Sequence, residues 1–352
     1  MGSHYARLLI STLFFFSLTT HGATMSDSEN NLEVPEFQFT QHCAGRYQME
    51  LPADMKQLLG SYGEPDMGVS TYPHFSNEND VGVLKGENRL ERWTQYVKGK
   101  RSDEVVETHY VLRDMKKQLK TVVYYADWRK VEHLAEDPEA SHSFETFFFK
   151  DFPEAKLGIA INGSGARGVI DRSEKNYKAI YQDRLKQMQE RANHVRYLPW
   201  PHIQPGVCLD KEFTVHLEIP SESEAYGAEF YNGKSSTFGI EVDVYSSEEG
   251  LKRELNRNSG LLSFFGSTSM KVAGRDGKLF TSSGKYSDKV REFRWVSTDT
   301  KLNSILYAHL EISGKIDMED YPEMAPMNGT DVIVGLLKGF QVRKNGMLGV
   351  RR

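Results

Sequence analysis

The chain predicts an α+β fold: two related mixed domains, each a largely antiparallel sheet packed with helices. Three observations lead there. Segments of alternating apolar and polar residues recur along the chain, the pattern of strands with one buried face. Two stretches, 173–195 and 329–340, instead carry apolar residues at three- and four-residue steps, the pattern of a helix laid on a sheet. The two cysteines of the chain, Cys43 and Cys208, open similar runs, "CAGRYQMELP" and "CLDKEFTVHLEIP", each alternating until a Leu-Pro or Ile-Pro stop. At 352 residues the chain is long enough for two hydrophobic cores.

The first element is a leader. Arg7 follows a short polar start, the apolar run "LLISTLFFFSL" occupies 8–18, and "TTHGAT" supplies small and polar residues after it. This is the layout of a secretory signal peptide, with cleavage expected near residue 22 or 23. The run is shorter than the roughly 20 residues a membrane-spanning helix needs, so no stable membrane insertion is expected after cleavage. The domain organisation reads as signal peptide 1–22, polar linker 23–36, N-terminal α+β domain 37–196, proline-rich linker 197–206, C-terminal domain 207–344 and tail 345–352.

Within the first half, "FQFTQHCAGRYQMELP" alternates and ends at Pro52, a strand region. The stretch "KGENRLERWTQYVKGKR" places Leu90, Trp93 and Val97 at helical spacing with charges between them, a surface helix. "KTVVYYADW", "FETFFFKDF" and "KLGIAI" are rich in the β-branched and aromatic residues of strands. Ser173 can cap the helix 173–195, whose apolar stripe includes Tyr177, Leu185, Met188 and Ala192. "YLPWPHIQPG" follows, and its prolines and glycine make it the linker.

In the second half, "CLDKEFTVHLEIP" and "SSTFGIEVDVYS" alternate, and "SEEGLKRELNRN" starts a short helix at Ser247. "KVAGRDGKLFTSS" reads as two strands joined through a Gly-Arg-Asp-Gly turn. "VREFRWVST" and "SILYAHLEISG" extend the sheet, and "GTDVIVGLLKGF" closes the chain as a helix carrying Val332, Leu336 and Phe340.

The residues point away from several chemistries. A net charge of −5, or −6 once Arg7 leaves with the leader, spread over interleaved acids and bases, gives no footprint for nucleic acid. Gly163, Gly165 and Gly168 match a dinucleotide fingerprint, but "VIDR" separates the last glycine from the helix, so a turn is expected and no cofactor. The nucleophile elbow G-x-S-x-G is absent from the sequence. No H-E-x-x-H or C-x-x-C occurs, His109 has no histidine one helical turn away, and His133 and His142 stand nine residues apart, so no metal site is expected. Glu248 and Glu249 suit a helix start, Asp317, Glu319 and Asp320 a solvated loop, and the basic run 113–120 a solvated face. Cys43 and Cys208 can form a disulfide in an oxidising compartment or remain two buried thiols; the sequence leaves both open.

The ordered set "CAGRYQMELP", "GVCLDKEF" followed by "IP", and "AHLEISG…GTDVIVGLLKGFQVRKN" resembles the immunity proteins of bacterial type VI secretion lipase effectors, the two-domain group with a distinct C-terminal domain. The resemblance spans about 37–344. It implies a periplasmic protein, itself no enzyme, that binds a cognate phospholipase effector and holds it inactive by stoichiometric complex formation; 207–344 is then the immunity domain. No contact residue carries over from it. Binding through a few anchors in a broad interface draws attention to aromatic residues of the stretches 61–75 and 259–270: Tyr62, Tyr72, Phe75, Phe264 and Phe265. The alternatives are an envelope hydrolase with an unrecognised active site and a module that binds an envelope component. Protein recovered from the periplasm is expected to begin near Ala23 by N-terminal sequencing; intact protein in the cytoplasm would remove the export reading.

Overall fold

The computed structural model describes residues 38–64, 67–71, 83–99, 108–114, 119–124, 145–164, 186–187, 189–216, 224–254, 267–284, 287–324 and 327–350. Residues 37–352 form one compact unit. The described residues build antiparallel sheets with a few packed helices, the α+β class that the alternating segments predict.

The strands in chain order are β1 Phe39–Ala44, β2 Tyr47–Pro52, β3 Lys56–Glu64, β4 Met67–Thr71, β5 Val83–Lys85, β6 Thr108–Asp114, β7 Leu119–Tyr124, β8 Glu145–Phe152 and β9 Leu157–Ser164. They continue as β10 Val195–Tyr197, β11 Val207–Cys208, β12 Phe213–Val215, β13 Ala225–Tyr231, β14 Thr237–Asp243, β15 Ser267–Val272, β16 Arg275–Gly284, β17 Ser287–Ser297, β18 His309–Asp317 and β19 Gln341–Val342. The helices are α1, Arg89–Gly99, and α2, Gly329–Lys338; residues 248–254 add a short helical segment. One sheet of 13 strands runs β15-β16-β17-β18-β14-β13-β3-β4-β9-β8-β7-β6, with β5 also paired to β9. Two three-stranded sheets, β1-β2-β19 and β10-β12-β11, accompany it. The long sheet therefore takes strands from both sides of the 197–206 stretch, and they meet where β3 pairs with β13.

The two cysteine runs turn out to pair with each other. Gly45 N donates to the Cys208 carbonyl at 2.7 Å and Cys208 N returns a bond to the Gly45 carbonyl at 2.8 Å. The structure joins Cys43 to Cys208 in a disulfide with Cα atoms 6.0 Å apart. The bridge closes a separation of 165 residues, which in the chain-entropy account stabilises by on the order of 5 kcal/mol. Gly45 takes φ +60° between β1 and β2, and a Cβ there would lie 1.8 Å from the Tyr226 ring, so only glycine lets the hairpin sit on β13.

Beneath this contact lies a charged centre. Arg46 is 2% exposed and Glu224 is fully buried. The guanidinium grips the carboxylate twice, Nε to Oε1 at 2.7 Å and Nη2 to Oε2 at 2.8 Å, and its Nη1 donates to the Gly346 carbonyl at 2.8 Å. Arg343, 1% exposed, donates to the carbonyls of Gln204 (2.7 Å) and Gly206 (2.6 Å), while its backbone N donates to the Arg46 carbonyl at 2.9 Å. Burial first, and the Arg46 charge second, lower Arg343 to about 10. Tyr62 and Tyr226, opposed across β3 and β13, are buried beside the pair, and burial is the main cause raising both phenols.

Apolar packing surrounds this centre. Phe238, Ile240, Phe293, Trp295, Ile312 and Ile316 line the buried face of β14, β17 and β18 together with Val332, Ile333, Leu336 and Leu337 of α2. Asn328 caps α2 by accepting from Asp331 N at 2.9 Å. Tyr47 stacks on Phe340 with ring centres 4.9 Å apart. At the other end α1 places Trp93 against Phe149, 5.4 Å between centres, in a small cluster with Leu84 and Ala160.

Several boundaries differ from the sequence reading. The turn between β15 and β16 is Ala273-Gly274, both at positive φ, so it includes only the first glycine of the expected Gly-Arg-Asp-Gly turn, and Arg275 already opens β16. "CLDKEFTVHLEIP" is not one strand: the Asp210 carboxylate accepts from Glu212 N and Phe213 N at 2.7 and 2.9 Å and folds β11 back on β12. Of the helix expected at 173–195, residues 186–187 and 189–192 are helical, 173–185 lie outside the described residues, and Val195 already belongs to β10.

Replacing Glu224 with Gln leaves the Arg46 charge buried without a counter-ion. Such a change costs about 3–5 kcal/mol, so the midpoint of urea unfolding is expected to fall sharply; an unchanged midpoint would contradict the role given to the pair. A second expectation concerns His42, which is 2% exposed and edge-on to Phe230 at 5.0 Å. Burial, then the Lys211 charge, lower it from 6.5 to about 4. The unfolded chain therefore takes up the proton first: stability is complete above pH 6.5 and is lost as the pH falls toward 4, by on the order of 3 kcal/mol. His42→Gln is expected to flatten stability against pH between 6.5 and 5, and an unaltered slope would exclude His42 as its source.

Candidate partner-binding face

A strand sends successive side chains to opposite sides, so the register of the long sheet fixes what its second face displays. One row runs Gly68, Gly63, Ala225, Asp243, His309 across β4, β3, β13, β14 and β18. The next runs Ser70, Ser61, Gly227, Glu241, Glu311 and on to Val296 of β17. A third runs Leu59, Glu229, Gly239, Ser313, Arg294. These rows border a shallow depression of about 510 Å³.

Small residues make the floor low. Among the described residues, a Cβ at Gly63 or Gly68 would meet nothing within 4 Å, so none of them covers the backbone of β3 and β4 at these positions. At Gly227 a Cβ would instead stand 3.0 Å from the Ile240 carbonyl. The carboxylates of Glu229 and Glu241 are exposed on this floor and Asp243 is partly so. The face is thus broad, low and acidic, which suits a basic protein surface better than a small molecule, whose sites are usually enclosed and largely apolar.

The charged end of the face is more closely built. Arg294 holds Glu311 with both arms, Nε to Oε1 and Nη2 to Oε2, each at 2.6 Å. Burial raises the Glu311 carboxyl, but His309 and then Arg294 outweigh it and bring the group below its ordinary value. His309 Nε2 lies 3.8 Å from Glu254 Oε1 and 3.9 Å from Glu311 Oε2. Glu254 comes from the helical segment 248–254, whose start is fixed by Ser247 Oγ accepting from Gly250 N at 3.1 Å.

A hydroxyl meets an imidazole at Thr214 Oγ1 and His202 Nε2, 2.9 Å apart. Thr214 is fully buried, and among the described residues His202 Nδ1 has no hydrogen-bond partner, so none of their carboxylates orients this ring toward a nucleophile's task. Of the aromatic anchors named from the sequence, Tyr62 lies on β3 within the core at 2% exposure; Tyr72, Phe75, Phe264 and Phe265 lie outside the described residues. The sequence reading missed the outer rows because no periodic signal marks a strand built of glycine and serine. The i, i+2 pair His309 and Glu311 was open to view, but its third partner arrives from a separate segment.

No family model matches the sequence, and no curated protein matches it. Solved structures do match in fold. The apo structure of the immunity protein TplEi of the type VI secretion system (T6SS) from Pseudomonas aeruginosa aligns with a TM-score of 0.55 at 14% identity, covering 88% of this chain and 98% of that one. The crystal structure of the Tle4–Tli4 complex supplies a chain that aligns at 0.52 and 14% identity over 88% and 98%. TplEi complexed with the "L" peptide aligns at 0.50 and 11% identity over 87% and 98%. At such identities the likeness is one of fold.

Proposed function

We propose that this chain is an immunity protein: it binds a toxic type VI secretion effector, a phospholipase, in the periplasm and silences it by forming a stable complex. The observation that carries the reading is the fold shared with TplEi along 88% of this chain and 98% of that immunity protein. It agrees with the resemblance of the cysteine runs and the closing strand and helix to the lipase-immunity group, and with a leader suited to export. Fold alone does not set function, and the site must carry its share.

Physically, a stoichiometric inhibitor needs a rigid surface of standard interface size, about 800 Å² per partner, and little else. The outer sheet face meets the requirement of rigidity because its strands are held by the buried core on their other side. Its carboxylates raise the rate of encounter with a basic partner surface, and its glycine floor lets that partner reach the strand backbone. The buried Thr214–His202 contact offers the envelope-hydrolase alternative no accessible nucleophile.

The test uses the mature protein and the lipase expected from the neighbouring reading frame, one that carries the G-x-S-x-G elbow absent here. Residual lipase activity is expected to fall linearly to an end point near one equivalent. Loss of the lipase at far below one equivalent would mean turnover, and no loss at several equivalents would defeat the reading. Replacing Gly63 and Glu229 together by Lys fills and reverses the charge of the outer face while leaving the core alone. This variant is expected to bind at least tenfold more weakly at an unchanged unfolding midpoint; full inhibition would remove the outer face from the interface and leave the inhibitory role standing.

A further inference from the structure

We propose that Glu254, His309 and Glu311 bind a divalent transition-metal cation, zinc by the character of the donors. One ligand atom from each residue lies within 4.8 Å of the other two. His309 is 2% exposed, yet among the described residues neither of its ring nitrogens has a hydrogen-bond partner. A buried polar group left in that state is destabilising, and a metal ion would relieve it.

The distances favour an ion over a hydrogen bond. The Nε2 atom stands 3.8 and 3.9 Å from the two carboxylate oxygens, beyond hydrogen-bond reach. Two donors on one zinc at about 2.1 Å are themselves separated by about 3.4–3.8 Å, depending on the bond angle.

The surroundings supply what such a site needs. His309 and Glu311 sit two residues apart on β18, so both project from the same face of a rigid, doubly paired strand. Arg294 fixes the Glu311 carboxylate from behind while each oxygen keeps a free lone pair, the orienting role of an outer partner. The Tyr245 ring stands 6.1 Å from the His309 ring and closes one side. Glu241 lies directly opposite Glu311, and Asp243 opposite His309, so two more carboxylates stand in register with the cluster. Three protein ligands leave a fourth position for water, the ligand count of an open zinc site.

The inference does not depend on the inhibitory role. The mature protein, freed of metal by chelator and exchanged into metal-free buffer, is titrated with Zn²⁺ by calorimetry and by thermal unfolding. One equivalent is expected to bind and to raise the unfolding temperature. With Co²⁺ as the probe, visible ligand-field absorption is expected to appear and to vanish on addition of Zn²⁺. Glu254→Gln, at the end of its helical segment, is expected to weaken binding by more than the roughly 10–100-fold that outer partners contribute; His309→Gln is expected to abolish it. Glu248→Gln, exposed on the same segment, leaves it unchanged. Should the buried His309 variant fail to fold, the Glu254 variant carries the decision. Absence of zinc binding to the folded protein, or binding that survives Glu254→Gln intact, would overturn the proposal, the latter by placing the ion on other histidines.

Discussion

The ion pair between Arg46 and Glu224 is the constraint on which the remaining structure depends. The two residues are 178 positions apart and almost wholly withdrawn from water. Desolvating a guanidinium and a carboxylate costs several kcal/mol for each ion, and their attraction offsets this only in near-ideal geometry. The geometry here is bidentate, and the remaining Arg46 donor ends on a backbone carbonyl. Four segments converge as a result: the β1–β2 turn, the residue that leads into β13, the 204–206 stretch through Arg343, and the C-terminal segment through Gly346. A Cβ on Gly346 would stand 2.4 Å from the Arg46 carbonyl, so even the terminal turn is shaped to this centre.

Arg343 brings a second buried guanidinium to the interior, and its side chain donates to backbone carbonyls rather than to a carboxylate. The structure disperses the positive charge over neutral acceptors, the carbonyls of Gln204, Gly206 and Gly346. Arg343 Nε is buried and finds no acceptor among the described residues, so this solvation is incomplete. The Cys43–Cys208 bridge lies next to the same turn, so a covalent tie and an electrostatic one act at a single junction. The arrangement favours one pairing of the chain over competing ones more than it favours raw stability, since a hydrophobic replacement of similar volume would avoid the desolvation cost.

What could be read from the sequence follows from where each signal resides. β8, β9, β14 and β17 were legible because their one-sided or continuous burial writes a pattern into adjacent residues. α2 was legible from its stripe of Val332, Leu336 and Phe340. β3 and β4 carry no strand signal because Gly60, Ser61, Gly63 and Gly68 lack β propensity; yet Gly60 is required there, since a Cβ would lie 1.8 Å from the Leu209 carbonyl. β13, "AYGAEFY", escaped for the same reason. The charged centre was invisible: arginine and glutamate are by default surface residues, and no local pattern links position 46 to 224 or 343. The candidate metal site was half legible, an i, i+2 pair on a strand whose third member no spacing rule could supply.

The buried centre also decides the exposed face. Because side chains alternate with period two, a slip of one residue between β3 and β13 would carry Tyr62 and Tyr226 outward and bring Ser61 and Gly227 into the core. The pair opposes that slip: Glu224 is anchored to Arg46 immediately before β13, and Gly45 is seated on the Tyr226 ring. The register then propagates from β13 to β14 and from β14 to β18, setting Gly227 beside Glu241 and Glu241 beside Glu311. The low acidic floor and the Glu254, His309, Glu311 cluster are thus consequences of an interaction on the opposite side of the same sheet. A change that loosened Arg46 would be felt at the outer surface through strand register before it was felt through any contact reaching that surface.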